Sequence, residues 1–205
     1  MAKGKFIAFE GVDGCGKSTQ ISRLNSYLNS KNIDTLLTRE PGGTLVAEQI
    51  RAVVKAPLLP LDLNTELLLF SAARSHHVQT LILPNLNEGK TVICDRYYLS
   101  TLVYQKLTTR LNPTTLKALE ELSFNSLIPD LTIVLELPLE QCIARIVSRG
   151  ETRDHFEQTE RLSQVITDYK TMSYPNHPNA RIHRINAAQP IEAISAEVQR
   201  VVASL

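Results

Sequence analysis

Short apolar runs alternate along the chain with longer segments in which apolar residues recur at helical spacing. The apolar runs cover 6–9, 33–38, 91–94, 131–137 and 182–185. The helical segments cover 17–30, 44–55, 64–83, 113–126, 138–149, 157–173 and 190–203. Runs that are apolar on both faces are typical of strands covered on both sides. Their alternation with helices predicts an α/β fold, a doubly wound parallel five-stranded sheet with helices on both faces.

The domain organisation follows from the absence of a linker between two halves. Prolines fall near the expected ends of the helices, and no repeat or low-complexity tract interrupts the pattern. Of 205 residues, 43% are hydrophobic and 21% are charged, which is ordinary for a globular protein and excludes disorder. The sequence therefore predicts a single domain over 1–205.

Charge and cysteine content exclude further classes of protein. Lys and Arg number 22 against 21 Asp and Glu, which argues against a nucleic-acid or anionic-membrane partner. No apolar run approaches the roughly 20 residues that a membrane-spanning helix needs. The widely spaced Cys15, Cys94 and Cys142 suggest neither a disulfide framework nor a metal site. We therefore expect a cytoplasmic protein without a membrane partner.

A phosphate-binding loop is the strongest chemical signal in the sequence. Residues 11–18 read G-V-D-G-C-G-K-S and match G-x-x-x-x-G-K-[ST] between a predicted strand and a predicted helix. The glycines permit a tight turn whose N–H groups face an anion, and the helix start adds its positive dipole end. The residues predicted to bind the nucleoside triphosphate are Gly11, Val12, Asp13, Gly14, Cys15, Gly16, Lys17, Ser18 and Thr19. This loop also indicates the fold of P-loop NTP hydrolases.

A second acidic element is expected beside the magnesium ion that accompanies a nucleoside triphosphate. Asp95 directly follows the apolar run 91–94, and Arg96 comes next. Both lie at the carboxyl end of a predicted strand, where open α/β sheets bind ligands. We therefore predict that Ser18 and Asp95 lie at the Mg²⁺ and that Arg96 faces a phosphate.

Two classes of function compete for a chain with this loop. One is a kinase for a small molecule, and the other is a nucleotide switch or binding module that acts on a protein. The N-K-x-D stretch of guanine-specific switches is absent, and 205 residues are few for a motor or transporter ATPase. A kinase needs a second anion site to align its acceptor. The isolated Arg39, Arg74 and Arg96 favour the kinase.

Several motifs in one order give the chain a family resemblance. They are E-G-V-D at 10–13, K-S-T-Q at 17–20, T-R-E-P-G-G-T at 38–44, L-L-F-S-A-A-R at 68–74, D-R-Y at 95–97, Y-Q at 104–105 and P-D-L-T at 129–132. In order and spacing, the chain resembles thymidylate kinases over nearly its whole length. The resemblance implies ATP + dTMP → ADP + dTDP with Mg²⁺, in a homodimer. Another nucleoside-monophosphate or deoxynucleoside kinase is the alternative.

The resemblance also implies a binding site for dTMP. Its residues would be Asp13, Arg39, Phe70, Arg74, Arg96, Ser100, Tyr104 and Gln105. Phe70 would stack on thymine, Arg74 would hydrogen-bond the base, and Arg39 and Arg96 would hold the phosphate. Asp13 would contact the 3′-hydroxyl, Tyr104 would crowd the 2′ position, and Ser100 and Gln105 would line the base and sugar side. From the residues alone, core packing on an apolar helix is the preferred interpretation of Phe70.

A lid is expected because phosphoryl transfer is protected from water. The charged segment at about 149–156 is the candidate, with Gly150 as a hinge. Some thymidylate kinases carry an arginine in the phosphate loop and others in the lid. Gly14 stands at that loop position here, so the chain resembles the second type. Arg149 and Arg153 are then the expected catalytic residues, beside Lys17 and Arg96.

Three positions depart from the family pattern. Ala73 stands where an acidic or amide residue is frequent, and residues 106–110 read K-L-T-T-R where a glycine-rich stretch is frequent. Asn186 replaces an aspartate that is common near the adenine. A site role for Arg110 is therefore not carried over.

Overall fold

Five parallel strands organise the computed structural model, which describes residues 3–56, 61–106, 110–148 and 159–205. The strands are β1 (Phe6–Glu10), β2 (Thr35–Arg39), β3 (Thr91–Asp95), β4 (Leu131–Glu136) and β5 (Ile182–Asn186). Their order in the sheet is β2-β3-β1-β4-β5, and every neighbouring pair is parallel. Each strand lies within two residues of its predicted position. The predicted α/β fold of the P-loop NTP hydrolase type is confirmed.

Helices surround the sheet and lie mainly where the apolar spacing predicts them. They are α1 (Lys17–Ser30), α2 (Leu45–Val54), α3 (Leu63–His77), α4 (Leu83–Asn87), α5 (Tyr98–Tyr104), α6 (Pro113–Phe124), α7 (Leu139–Ser148), α8 (Thr159–Thr171) and α9 (Ile191–Val202). A π-helical turn, Val78–Ile82, joins α3 to α4. Pro84 lies at the start of α4, where a missing N–H costs little, so the helical path runs past the predicted stop.

Helix α5 has no counterpart among the predicted helices. It is only seven residues long, and Tyr98, Leu99, Thr101, Leu102 and Val103 are all buried. A short helix buried on most sides has no polar face, so its sequence shows no amphipathic period. Its position matters because it carries several residues of the candidate site.

The carboxyl ends of the strands bring polar side chains to one edge of a largely apolar sheet. Phe6 to Phe9 and Val92 to Cys94 are fully buried, whereas β1, β2 and β3 end in Glu10, Arg39 and Asp95. Parallel register places Asp95 beside both Phe9 and Arg39. This edge is where open α/β sheets bind ligands. No helix in the described ranges has the length and apolar content to cross a bilayer.

Candidate active site

The loop between β1 and α1 depends on glycine for its conformation. Gly11 has φ +129°, and a Cβ there would lie 2.6 Å from the carbonyl oxygen of Leu135. Gly14 has φ +81°, and a Cβ there would lie 3.2 Å from the carbonyl oxygen of Cys142. A side chain at either position would therefore be strained and crowded. Gly16 caps α1 without a side-chain acceptor, which leaves the first helical N–H groups available for an anion.

Lys17 lies buried inside this loop. Its Nζ donates to the carbonyl oxygens of Gly11 at 3.0 Å and Val12 at 3.1 Å, and lies 3.8 Å from Oδ1 of Asp13. Burial lowers the pKa of Lys17, but nearby negative charge, Asp13 and Asp95 included, outweighs it and raises the pKa above its ordinary value. The ammonium group therefore stays charged and within the loop, as a phosphate-binding lysine must.

Ser18 and Asp95 supply the oxygen ligands that suit a magnesium ion. Both line the same cavity, and Oδ1 of Asp95 is buried yet accepts no hydrogen bond from the described residues. A buried carboxylate oxygen without a donor is costly unless a cation or water satisfies it. Carboxylate and hydroxyl oxygens are hard donors of the kind that Mg²⁺ prefers. The residues present therefore fit the ion.

The loop opens into a cavity of about 650 Å³. Its lining includes most of the predicted nucleotide residues, namely Asp13, Gly14, Cys15, Gly16, Lys17, Ser18 and Thr19, together with Arg39, Asp95 and Arg96. Gly11 and Val12 contribute through their carbonyl oxygens, which hold Lys17. Three further lining residues, Ala187, Ile191 and Ile194, are apolar, and we call this part of the lining the apolar end. The cavity thus joins an anion site to a surface suited to a nucleobase.

The turn after β5 forms part of that apolar end. Oδ1 of Asn186 accepts the backbone N–H of Ala188 at 2.9 Å, so the asparagine caps the turn. Arg145 crosses the same region and donates to the carbonyl oxygens of Gly14 and Ala187, each at 3.3 Å. Arg145 therefore fastens the phosphate loop to the turn that bears Ala187.

Arg96 occupies the centre of the site. Its Nη2 donates to Oδ1 of Asp13 at 2.9 Å, its Nη1 lies 3.3 Å from Oγ of Ser100, and its guanidinium lies 5.4 Å above the ring centre of Tyr104. Burial raises the pKa of Asp13, but the charges of Arg96 and Lys17 outweigh it and hold that pKa well below its ordinary value. Arg96 lies just beyond the end of β3, in a left-handed turn, where the sequence placed it on the strand end.

A second cavity of about 110 Å³ adjoins the first. Seven of the eight residues predicted to bind dTMP line it: Asp13, Phe70, Arg74, Arg96, Ser100, Tyr104 and Gln105. The eighth, Arg39, lines the larger cavity and pairs with Glu48 at the protein surface. Phe70 is half-buried and lies outside the hydrophobic core that the described residues form. The core-packing interpretation of Phe70 is therefore not the one that the structure favours.

Arg74 is held in the smaller cavity by a buried carboxylate. Its Nε donates to Oε2 of Glu40 at 2.7 Å, and its Nη2 donates to Oγ1 of Thr101 at 2.8 Å. The guanidinium also lies within 6 Å of the ring centres of Tyr97, Tyr98 and Phe124. Burial lowers the pKa of Arg74, but Glu40 outweighs it and raises the pKa. Glu40 thus orients Arg74. Ala73, which precedes Arg74 in the sequence, has no polar side chain that could do so.

Gln105 is held in the same way. Its Nε2 donates to Oε2 of Glu66 at 3.1 Å, and both side chains are buried. A carboxylate only accepts, so this bond fixes which end of the amide faces Glu66. Arg110 donates to the carbonyl oxygen of Gln105 at 3.2 Å and to the side chain of Asn64, which fastens the end of α5 to the start of α3.

Sequence reasoning missed several residues at the site, among them Arg51 and Thr101. Arg51 lines both cavities and donates to the carbonyl oxygen of Pro41 at 2.9 Å, while burial and the charge of Arg39 lower its pKa. An arginine on a predicted amphipathic helix looks like a solvent-exposed residue, so nothing marked it. Thr101, beside the predicted Ser100, is buried and accepts from Arg74.

The predicted lid at 149–156, with Arg149 and Arg153, lies outside the described residues.

Comparison with known proteins places the chain in a family. The family model described as thymidylate kinase matches residues 9–198. A thymidylate kinase of Alkalilimnicola ehrlichii is 39% identical over 212 aligned residues, which cover all of this chain and 94% of the relative. One from Symbiobacterium thermophilum is 40% identical, and the alignment covers 96% of this chain and 92% of the relative. One from Rhodopseudomonas palustris is 46% identical, and the alignment covers 76% of this chain and 69% of the relative. The chain belongs to the thymidylate kinase family.

Proposed function

We propose that this chain transfers the γ-phosphoryl group of ATP to dTMP, giving ADP and dTDP. The observation that carries the proposal is the meeting of two cavities at Asp13, Glu40, Arg51 and Arg96. One cavity contains a phosphate loop and an apolar end, and the other contains an aromatic ring beside a buried arginine. Two nucleotides bound in these cavities have their phosphates at the shared border. The names of the relatives support dTMP as the acceptor.

A pyrimidine with a carbonyl at C4, as in thymine, suits the smaller cavity. Phe70 supplies an aromatic face, and stacking of a base on such a ring contributes about 1–3 kcal/mol. Glu40 and Thr101 engage Nε and Nη2 of Arg74, and Nη1 has no hydrogen bond to the described residues, so we propose that Nη1 donates to the edge of the base. Thymine presents a carbonyl acceptor at O4, whereas cytosine presents an amino donor there. Arg74 therefore favours thymine over cytosine.

The reaction needs little acid–base chemistry. An oxygen of the dTMP phosphate is already anionic at neutral pH, so it attacks the γ-phosphorus while ADP leaves. Catalysis then consists of alignment and charge neutralisation. Lys17 exchanges its bonds to the carbonyls of Gly11 and Val12 for the transferring phosphates, and Arg96 holds the acceptor phosphate with Arg39 and Arg51. Arg149 and Arg153 remain catalytic residues proposed from the sequence.

Ser18 and Asp95 would hold the magnesium ion that accompanies ATP. When bound there, Mg²⁺ neutralises negative charge on the phosphate oxygens. This assignment is supported by Oδ1 of Asp95, which has no hydrogen-bond partner among the described residues. The negative charge of Asp95 also contributes to the raised pKa of Lys17.

We also propose that the protein acts as a homodimer in the cytoplasm. Helix α2 packs on α3 and α3 on α6, and each exposes a leucine: Leu45 is 88%, Leu68 is 66% and Leu122 is 81% exposed. Exposed apolar residues that form one patch are typical of a protein–protein interface, and we propose that these three leucines belong to such a patch. The three cysteines are free and buried, which suits a reducing compartment.

A coupled assay of ADP release tests the function. ATP and Mg²⁺ are supplied with dTMP, dUMP, dCMP, dGMP or AMP, and kcat/KM is compared. We expect dTMP to be the best acceptor and dCMP at least tenfold worse. Turnover with another monophosphate and none with dTMP would support the alternative kinase. Slow ATP or GTP hydrolysis that no acceptor accelerates would support the nucleotide switch instead.

A further inference from the structure

The backbone of Arg96 adopts a conformation that needs external support. Its φ is +68°, in the left-handed region that residues other than glycine seldom adopt. Two bonds fix the backbone on either side of its Cα: the N–H of Arg96 donates to the carbonyl oxygen of Phe9 at 2.8 Å, and Sγ of Cys94 donates to the carbonyl oxygen of Arg96 at 2.9 Å. They hold the backbone of the turn, but they leave the direction of the guanidinium unset.

Glu10 anchors the segment that follows Arg96. Its side chain is fully buried at the end of β1, and its Oε1 accepts the N–H groups of Tyr97 at 2.8 Å and Ser100 at 3.1 Å. Its Oε2 accepts from Oγ of Ser100 at 2.6 Å. One carboxylate therefore ties the start of α5 to the strand that leads into the phosphate loop.

A further donor to Glu10 comes from a distant part of the chain. The hydroxyl of Tyr169, on α8, donates to Oε2 of Glu10 at 2.9 Å. The phenol oxygen of Tyr169 also lies 2.8 Å from Oγ of Ser100 and 3.4 Å from Nη1 of Arg96. Since its proton is given to the carboxylate, the phenol oxygen accepts from Arg96. Tyr169 is buried, and its ring packs edge-on against Tyr104, which lies under the Arg96 guanidinium.

We propose that Tyr169 is a positioning residue, which directs the Arg96 guanidinium towards the phosphate of dTMP. The inference rests on the proposed function. Other side-chain partners of Arg96 in the described residues are Asp13 on Nη2, Ser100 on Nη1 and the ring of Tyr104. Tyr169 contacts Nη1 of Arg96, Ser100 and Glu10 together. Its hydroxyl therefore holds the Nη1 side of the guanidinium, while Asp13 holds the Nη2 side. Neither the motifs nor the spacing in the sequence mark Tyr169 for this role.

The test compares two conservative variants, Tyr169→Phe and Tyr174→Phe. Tyr174 is an equally buried tyrosine whose hydroxyl pairs with Oγ1 of Thr132, away from both cavities, so it is a matched control for loss of one buried hydroxyl. Calorimetry measures the Kd of dTMP and of thymidine, which lacks the phosphate. In Tyr169→Phe we expect the Kd of dTMP to rise about tenfold. We expect the Kd of thymidine to change less than twofold, and Tyr174→Phe to change neither.

A double-variant cycle with Arg96→Lys separates positioning from general loosening. If Tyr169 acts through Arg96, then Tyr169→Phe will change the Kd of dTMP less than twofold in the Arg96→Lys background. Equal weakening of dTMP and thymidine, or the same loss in Tyr174→Phe, would overturn the positioning role and indicate a structural one. Wild-type protein that binds dTMP while Tyr169→Phe binds it as tightly would overturn this inference alone. Wild-type protein that does not bind dTMP would overturn the proposed function and this inference with it.

Discussion

Glu40 and Arg74 form a buried ion pair that joins the loop after β2 to helix α3. Oε2 of Glu40 lies 2.7 Å from Nε of Arg74, and Oε1 lies 3.0 Å from Nδ1 of His77. Glu40 is 5% exposed and Arg74 is 3% exposed. Because both oxygens of the carboxylate are engaged, Arg74 has one orientation at the cavity that we assign to thymine. The pair therefore links the stability of the fold to recognition of the base.

Removing the charge of Glu40 should weaken both the stability of the fold and the recognition of the base. Glu40→Gln leaves the buried Arg74 without a counterion, so we expect the free energy of unfolding to fall by about 3–5 kcal/mol. We also expect the KM for dTMP to rise at least tenfold. Glu48→Gln is the matched control, since the Arg39–Glu48 pair is 55% and 39% exposed and should contribute about 1 kcal/mol or less to stability. Urea unfolding and steady-state kinetics measure both effects, and equal losses of stability would contradict the account.

Lys17 should matter for catalysis more than for folding. Its ammonium bonds only backbone carbonyls of the loop and lies near Asp13, among the described residues. We expect Lys17→Ala to lower kcat by about 100-fold or more, because the transferring phosphates lose a positive charge. Lys117→Ala, at an exposed lysine on α6, serves as the control and should leave kcat unchanged. A folded Lys17→Ala protein with normal kcat would disprove the assignment of the loop.

The interaction of Asp13 with Arg96 and Lys17 should make stability depend on pH. The pKa of Asp13 lies well below its ordinary value of 3.8 in the folded state, so the folded protein binds fewer protons than the unfolded chain. Its contribution is therefore present in full above about pH 5 and declines as the pH falls below the ordinary pKa. The difference in unfolding free energy between wild-type protein and Asp13→Asn should be largest at pH 6 and should shrink as the pH falls from about 4 to 2.5. A difference that stays constant with pH would argue against this interaction.

Exposed leucines on α2, α3 and α6 lead to a prediction about assembly. We expect Leu68→Glu and Leu122→Glu to convert a dimer to a monomer, because a charge replaces apolar surface at the proposed interface. Ile33→Glu is the control, at a 40% exposed residue in the turn between α1 and β2. Sedimentation velocity distinguishes the two states. Wild-type protein that sediments as a monomer would rule out the interface.

Local patterns account for the features that the sequence predicted well. The five strands coincide with short apolar runs, of which β1, β3 and β4 are buried along most of their length. The phosphate loop needs glycine at fixed spacing, so both features are visible in consecutive residues. Helix α5 was missed because it is buried on most sides and has no amphipathic period. Arg51 and Tyr169 were missed for another reason. Their roles come from contacts with residues far along the chain, such as the bond from Tyr169 to Glu10, 159 positions away.

A crystal structure of the protein with dTMP and a non-hydrolysable ATP analogue tests the central claim most directly. We predict thymine stacked on Phe70 with O4 at the Arg74 guanidinium, the dTMP phosphate at Arg96, and the triphosphate on the loop around Lys17. A pyrimidine bound away from Phe70 and Arg74, or a dTMP phosphate that does not contact Arg96, would contradict the account.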